Sequence, residues 1–175
     1  MKQLVSRMTA VGFVVMFVVA SVGLSAQAAE TQLAKQGTYS GNFGWNFTGN
    51  MLEIEKGHQV YDGHEDGTFF NDAGSGFLHL TALTCTDTGE INNGVFVNAN
   101  GYCVVTDRDG DRAFFVWKCK GQPRCEGDFQ WTDGTGKYTG LTGNNTFHGG
   151  PTVPSGTVGN RLQGYSVIKG EWKLP

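Results

Sequence analysis

An all-β domain, closed as an antiparallel barrel of about eight strands, is what this sequence predicts, and three observations carry that prediction. Gly is the commonest residue, 27 of 175, and it recurs at short intervals beside Asn, Asp or Thr. Such pairs supply the left-handed positions that tight hairpins need. Between them lie short runs rich in Val, Thr, Phe, Tyr and Trp, several with alternating apolar and polar residues. Beyond the N-terminal segment, no stretch keeps a 3.6-residue apolar period over three turns, so helices are not expected.

Residues 1–28 read as a secretory signal peptide. Lys2 and Arg7 precede an apolar run from Val11 to Leu24, and Ala26-Gln27-Ala28 forms a small-x-small cleavage site. The run is short against the roughly 20 apolar residues of a membrane span. A periplasmic or secreted mature chain, not membrane-spanning after cleavage, is the expectation. Residues 29–37 follow as a flexible leader and 38–175 as a single barrel domain. The formal net charge is −3, more negative once Lys2 and Arg7 are removed, which is no footprint for a nucleic-acid partner.

The runs 39–47 and 51–61 flank Thr48-Gly49-Asn50, which reads as a turn, as do Asp62-Gly63 and Asp66-Gly67. After a loop at 71–76, the run 76–84 carries Leu78, Leu80 and Ala82 opposite His79 and Thr81. The runs 94–98 and 101–106 are set off by Asn93-Gly94 and Asn100-Gly101. Asp109-Gly110 introduces 113–118, and 127–132 ends at Asp133-Gly134. The runs 145–148 and 163–174 are joined by the Gly- and Pro-containing loop 149–160, expected at one barrel mouth. So many short strands suit a closed barrel or a two-sheet sandwich. Few lysines protect the strand edges by charge, which favours closure.

Cys85, Cys103, Cys119 and Cys125 are an even set in an exported chain, which favours two disulfides. Cys119–Cys125 would close a small loop through Gly121 and Pro123. Cys85–Cys103 would then tie neighbouring strands. The spacings match no zinc pattern.

The segment Gly134-Thr-Gly-Lys-Tyr-Thr-Gly-Leu-Thr-Gly143 sets glycines around one aromatic, which suits a tight turn, a packed ring and a close return strand. It resembles the Gly-x-Gly-Lys-(Phe/Tyr)-x-Gly-x-x-Gly segment of small exported barrels related to allene oxide cyclase and the dirigent proteins. The closing Gly164-Tyr165-Ser166-Val167 and Gly170-Glu171-Trp172 resemble the last strand of bacterial members of that group. The resemblance implies an eight-stranded, calycin-like antiparallel barrel, often a homo-oligomer, which shapes a bound intermediate. It transfers no catalytic residue onto this chain.

Candidate chemistry is sparse. Asp107, Asp109 and Asp111 are spaced to ligate a hard cation such as Ca²⁺. They read first as a charged hairpin tip neutralised by Arg108 and Arg112, and only weakly as a metal site. His58 and His64, with Glu65 and Asp66, read as a polar loop before a metal cluster. His79 is expected inside the barrel. Glu53 and Glu55, two apart on one strand, would share a face. The catalytic candidates are His79 and Glu55. Aromatic side chains are the better clue to a pocket, and Trp45, Phe115, Trp117 and Trp131 are the expected ligand contacts.

No nucleophile elbow, phosphate loop or zinc-protease string is present, and no cofactor is expected. The function expected is binding of a small apolar or aromatic molecule in the lumen. The alternatives are a cyclase- or isomerase-type enzyme acting on a bound hydrophobic intermediate, and a structural envelope protein.

Overall fold

The computed structural model describes residues 33–121, 124–152 and 161–175. The signal peptide expected over 1–28 lies outside the described residues, as do the first leader residues and most of the 149–160 loop.

Eight strands follow in chain order: β1 (Gln36–Glu55), β2 (His58–Asn71), β3 (Thr81–Asn92), β4 (Val95–Thr106), β5 (Arg112–Gly121), β6 (Cys125–Gly134), β7 (Gly143–Pro151) and β8 (Arg161–Lys173). Each is hydrogen-bonded to the next, and β8 returns to β1, so the sheet closes as an up-and-down antiparallel barrel. Closure leaves no free strand edge to pair with another chain. The alternation read at Phe43, Trp45 and Phe47 is present: these rings point inward while Asn42, Gly44 and Asn46 are exposed. Both expected disulfides, Cys85–Cys103 and Cys119–Cys125, are formed. Cys85 and Cys103 are direct partners across β3 and β4.

Several expected turns prove to be strand interior. β1 runs unbroken through Thr48-Gly49-Asn50, with Gly49 opposite Gly63 of β2, and the chain reverses instead at Lys56-Gly57. Asp62-Gly63 and Asp66-Gly67 lie within β2, and Asn100-Gly101 within β4. These glycines serve space, not chain reversal. The Phe47 ring covers both Gly49 and Gly63, the Phe43 ring covers Gly67, and the Trp117 indole covers Gly101. An eight-stranded lumen can hold large rings only where neighbouring strands offer no side chain. At Asn93-Gly94 the turn reading holds, with φ of 49° and 80°.

The run expected as a strand from residue 76 begins only at Thr81. Leu78 and Leu80 both take left-handed conformations, with φ of 55° and 57°. Such values are unusual for leucine and mark a tightly folded loop. Asn71 secures it: its Nδ2 donates to the Phe77 carbonyl at 3.0 Å, and its Oδ1 accepts from the Ala73 N–H at 3.0 Å. Thr81 Oγ1 donates to the Leu78 carbonyl at 2.8 Å.

This loop pushes Phe77 into one end of the barrel. Its ring stacks on Trp172 with centroids 4.4 Å apart and planes within 3°. Tyr39, Trp131 and Tyr138 meet the same ring edge-on. Tyr138 and Leu141 come from the 134–143 segment, where a 3-10 turn (Gly136–Tyr138) follows β6. That glycine-rich segment therefore builds the barrel floor, with the packed aromatic its spacing suggested. The described end of the leader is tied down beside it: Leu33 packs on the core and the Leu174 N–H donates to the Lys35 carbonyl at 2.7 Å.

Candidate functional site

The floor closes only one end of the lumen. Toward the other end the inward positions enclose a cavity of about 760 Å³, within the range of small-molecule sites. Phe43, Trp45 and Phe47 of β1 face Phe115 and Trp117 of β5 across it, with Phe129 and Phe147 completing the aromatic wall. Trp45 Nε1 donates to Ser166 Oγ at 3.2 Å, which satisfies the indole within the wall. Met51, Gln59 and Leu162 stand nearer the mouth, where Met51 is 55% exposed.

Two carboxylates break this apolar lining. The alternation of β2 sends Gln59, Tyr61, Gly63 and Glu65 inward, and that of β3 sends Leu83, Cys85 and Asp87 inward. Glu65 is the direct partner of Cys85, and Asp87 lies two residues on, so the acids are diagonal neighbours on adjacent strands. Their oxygens lie within 4.8 Å of each other. Asp87 is only 5% exposed, and neither of its oxygens has a hydrogen-bond partner.

Burial raises the affinity of both groups for a proton. It pushes Asp87 up to about 7. Glu65 is raised well above the usual carboxylate range by burial and by the Asp87 charge. The pair therefore resists double ionisation and keeps at least one proton near neutrality. Tyr61, beside them, is also raised, by burial and then by the charges of Asp87 and Glu65. Cys85 comes within the same 4.8 Å, but its sulfur is in the disulfide and offers no thiolate. Two carboxylates remain, too few protein ligands to enclose a cation without others.

Of the expected ligand contacts, Trp45, Phe115 and Trp117 line the cavity. Trp131 lies deeper, between Phe77 and Phe115 in the floor. His79 is in the loop before β3, where its Nδ1 accepts the Asn71 N–H at 3.2 Å, and it does not line the cavity. Glu55 stands at the far end of β1, outside the cavity wall, 3.6 Å from His58 Nδ1. A register irregularity between Glu53 and Glu55 breaks the alternation expected of that pair. The structure therefore does not bring His79 and Glu55 together.

Segment 57–67, expected as a polar loop, is the body of β2. His58 and His64 occupy the outward phase of that strand. His58 Nε2 meets Glu90 at 2.7 Å, and His64 lies 3.7 Å from Asp66. At the β4–β5 turn, Asp107 Oδ1 accepts the N–H groups of Asp109 and Asp111 at 2.9 and 3.0 Å. Lys137, not Arg108 or Arg112, supplies the countercharge: its Nζ is 2.7 Å from Asp107 and also contacts Asp109. Against partial desolvation, Lys137 holds the Asp107 carboxyl below its usual range. The hairpin reading of this cluster accounts for the acids without a metal ion. Arg112 instead lies over the Phe114 ring.

Sequence reasoning passed over Asp87 and placed Glu65 only in a polar loop with His58 and His64, not in the lumen. Their signal was the strict period of two in Leu83-Cys85-Asp87 and in Tyr61-Gly63-Glu65, hidden by the polar residues between. Among the described residues, no helix is long and apolar enough to cross a membrane. The architecture implied by the resemblance to allene oxide cyclase and dirigent barrels is present as a closed eight-stranded wall. No known protein family, curated protein or solved structure matches the chain.

Proposed function

We propose that this is an exported barrel that binds one small apolar or aromatic molecule in its lumen. The observation that carries the reading is the cavity of about 760 Å³ between facing aromatic walls. Had the rings packed against one another throughout, as they do around Phe77, a structural role would be favoured. Burying an aromatic ligand there would gain about 25 cal/mol per Å² of apolar surface removed from water. Two disulfides are consistent with an oxidising compartment, periplasmic or extracellular. The 134–143 likeness and the closed wall support a relation to the allene oxide cyclase and dirigent barrels.

Heavy-atom quenching of tryptophan fluorescence tests the reading. Trp45 and Trp117 line the cavity, so 1-bromonaphthalene is expected to quench saturably at one molecule per chain. Trp117→Phe should reduce the quenched amplitude. Unsaturable quenching, equal in both proteins, would count against a lumen site.

A second reading, an isomerase- or cyclase-type enzyme, is favoured by one observation, the carboxylate pair within 4.8 Å in the cavity. One protonated and one ionised acid can deliver and accept a proton on a bound intermediate. Glu65 and Asp87, not His79 and Glu55, would then be the acid and base. Retention of a compound with turnover lost in Glu65→Gln is the expected signature. Retention without turnover in the unaltered protein leaves binding alone.

A further inference from the structure

We propose that the lumen is built for an organic amine, with the ammonium group seated beside Glu65 and Asp87 and the hydrocarbon body against the aromatic wall. The inference deepens the binding reading above and rests on it.

Three observations lead to it. First, Asp87 is nine-tenths buried and faces the cavity with both oxygens unpartnered. Removing a carboxylate from water is costly unless something inside replaces the lost hydrogen bonds. Second, nothing among the described residues does so. Among the described residues lining the cavity there is no Lys, Arg or His, and the titratable groups are Glu65, Asp87 and Tyr61 alone, with the cysteines held in disulfides. Among the described residues, strands β1 and β4 to β8 present no charged group to the pair.

Third, aromatic rings flank Asp87 over both neighbouring strands. Its direct partners on the neighbouring strands are Gly63 and Gly101. The Phe47 ring lies over Gly63 and the Trp117 indole over Gly101. A carboxylate flanked by aromatic rings in an apolar wall suits an ammonium ion, which pairs with the charge while its hydrocarbon body packs on the rings. An anionic ligand would meet two acids and no countercharge. A hydrocarbon without a donor would leave Asp87 unsatisfied.

On binding, one acid of the pair loses its proton: its O–H bond breaks, the proton passes to the buffer, and the carboxylate left behind pairs with the ammonium ion. The amine enters and remains as its cation.

The test is calorimetric titration near pH 7 with three ligands of one shape and different charge: 2-phenylethylamine, 2-phenylethanol and phenylacetate. The amine is expected to bind at least tenfold more tightly than the alcohol, with phenylacetate weakest. In the double variant Glu65→Gln, Asp87→Asn the amine should lose its advantage, binding within about threefold of the alcohol measured on the same variant. A second readout needs no variant: the heat of amine binding should differ between phosphate and Tris, because a proton is released to the buffer. Equal affinity for amine and alcohol would overturn the amine assignment while leaving the lumen reading intact. So would an amine preference that survives in the double variant, or identical heats in the two buffers. Saturable Ca²⁺ or Zn²⁺ binding, lost in the double variant and unaccompanied by amine binding, would also overturn it and make the pair a metal site. Failure of these three ligands and of 1-bromonaphthalene alike would remove the lumen reading itself.

Discussion

The carboxylates of Glu65 and Asp87 approach within 4.8 Å inside the barrel, on adjacent strands, with no basic side chain among the described residues of the cavity wall. A folded protein does not gain stability from such a pair at neutral pH. The acids hold protons more tightly in the folded chain than in the unfolded one. Their contribution to stability is therefore fullest below the ordinary carboxylate range near 4 and is lost as pH rises through about 7.

Thermal melts followed by circular dichroism should show this directly. The midpoint should fall between pH about 4.5 and about 7.5, the window between the unfolded and folded titrations. Asp87→Asn should flatten that dependence and raise the midpoint at pH 8 by several degrees, roughly 2–4 °C for each kcal/mol recovered. Asp107 and Asp133 are shifted downward, so their effect appears at more acid pH. A midpoint that rises or stays level through the window would contradict the burial of the pair.

The inward glycines make a steric prediction. A methyl group on Gly164 would collide with the Trp45 ring and approach the Gly150 carbonyl, whereas one on Gly44, outward on β1, would meet nothing within 4 Å. Gly164→Ala should cost about 1–3 kcal/mol in urea unfolding. Gly44→Ala should stay within about 0.5 kcal/mol of the parent. Equal costs would mean that the rings do not occupy the glycine spaces.

Phe77 seals the floor through its stack on Trp172 and does not line the cavity. Phe77→Ala is expected to cost about 3–5 kcal/mol with little change in lumen affinity. A variant of near-parental stability would show that the loop before β3 does not anchor the barrel.

Both cysteine pairs are bonded, and none of the four cysteines is free. Thiol labelling of the unreduced chain should find no reactive group. Replacing Cys85 and Cys103 together by Ala should cost about 3 kcal/mol, as expected for a loop of this length. Labelling of the unreduced protein, or a variant as stable as the parent, would argue against the pairing.

How much of this was legible before the fold was seen depends on what each residue had to report. Alternation at Phe43, Trp45 and Phe47 reported an inward face, and the cysteine spacing reported its pairing, because both signals are local. Gly63 and Gly101 were opaque for the opposite reason. An Asx-Gly pair looks the same whether it reverses the chain or makes room for a ring on the next strand, and only the register with Phe47 or Trp117 distinguishes the two. His79 looked like a strand residue between leucines, yet Leu78 and Leu80 take left-handed conformations that periodicity cannot reveal. Glu65 and Asp87 were hidden because inward acids in a small lumen oppose the usual burial preference. That conflict between local polarity and position is what marks them as functional candidates.

The central claim, an open aromatic lumen that accepts a ligand, is tested most directly by the anomalous difference map of a crystal soaked with 1-bromonaphthalene. The account predicts one bromine peak inside the barrel, among Trp45, Phe115 and Trp117. A lumen filled by its own side chains, with bromine found only on the outer surface, would contradict it.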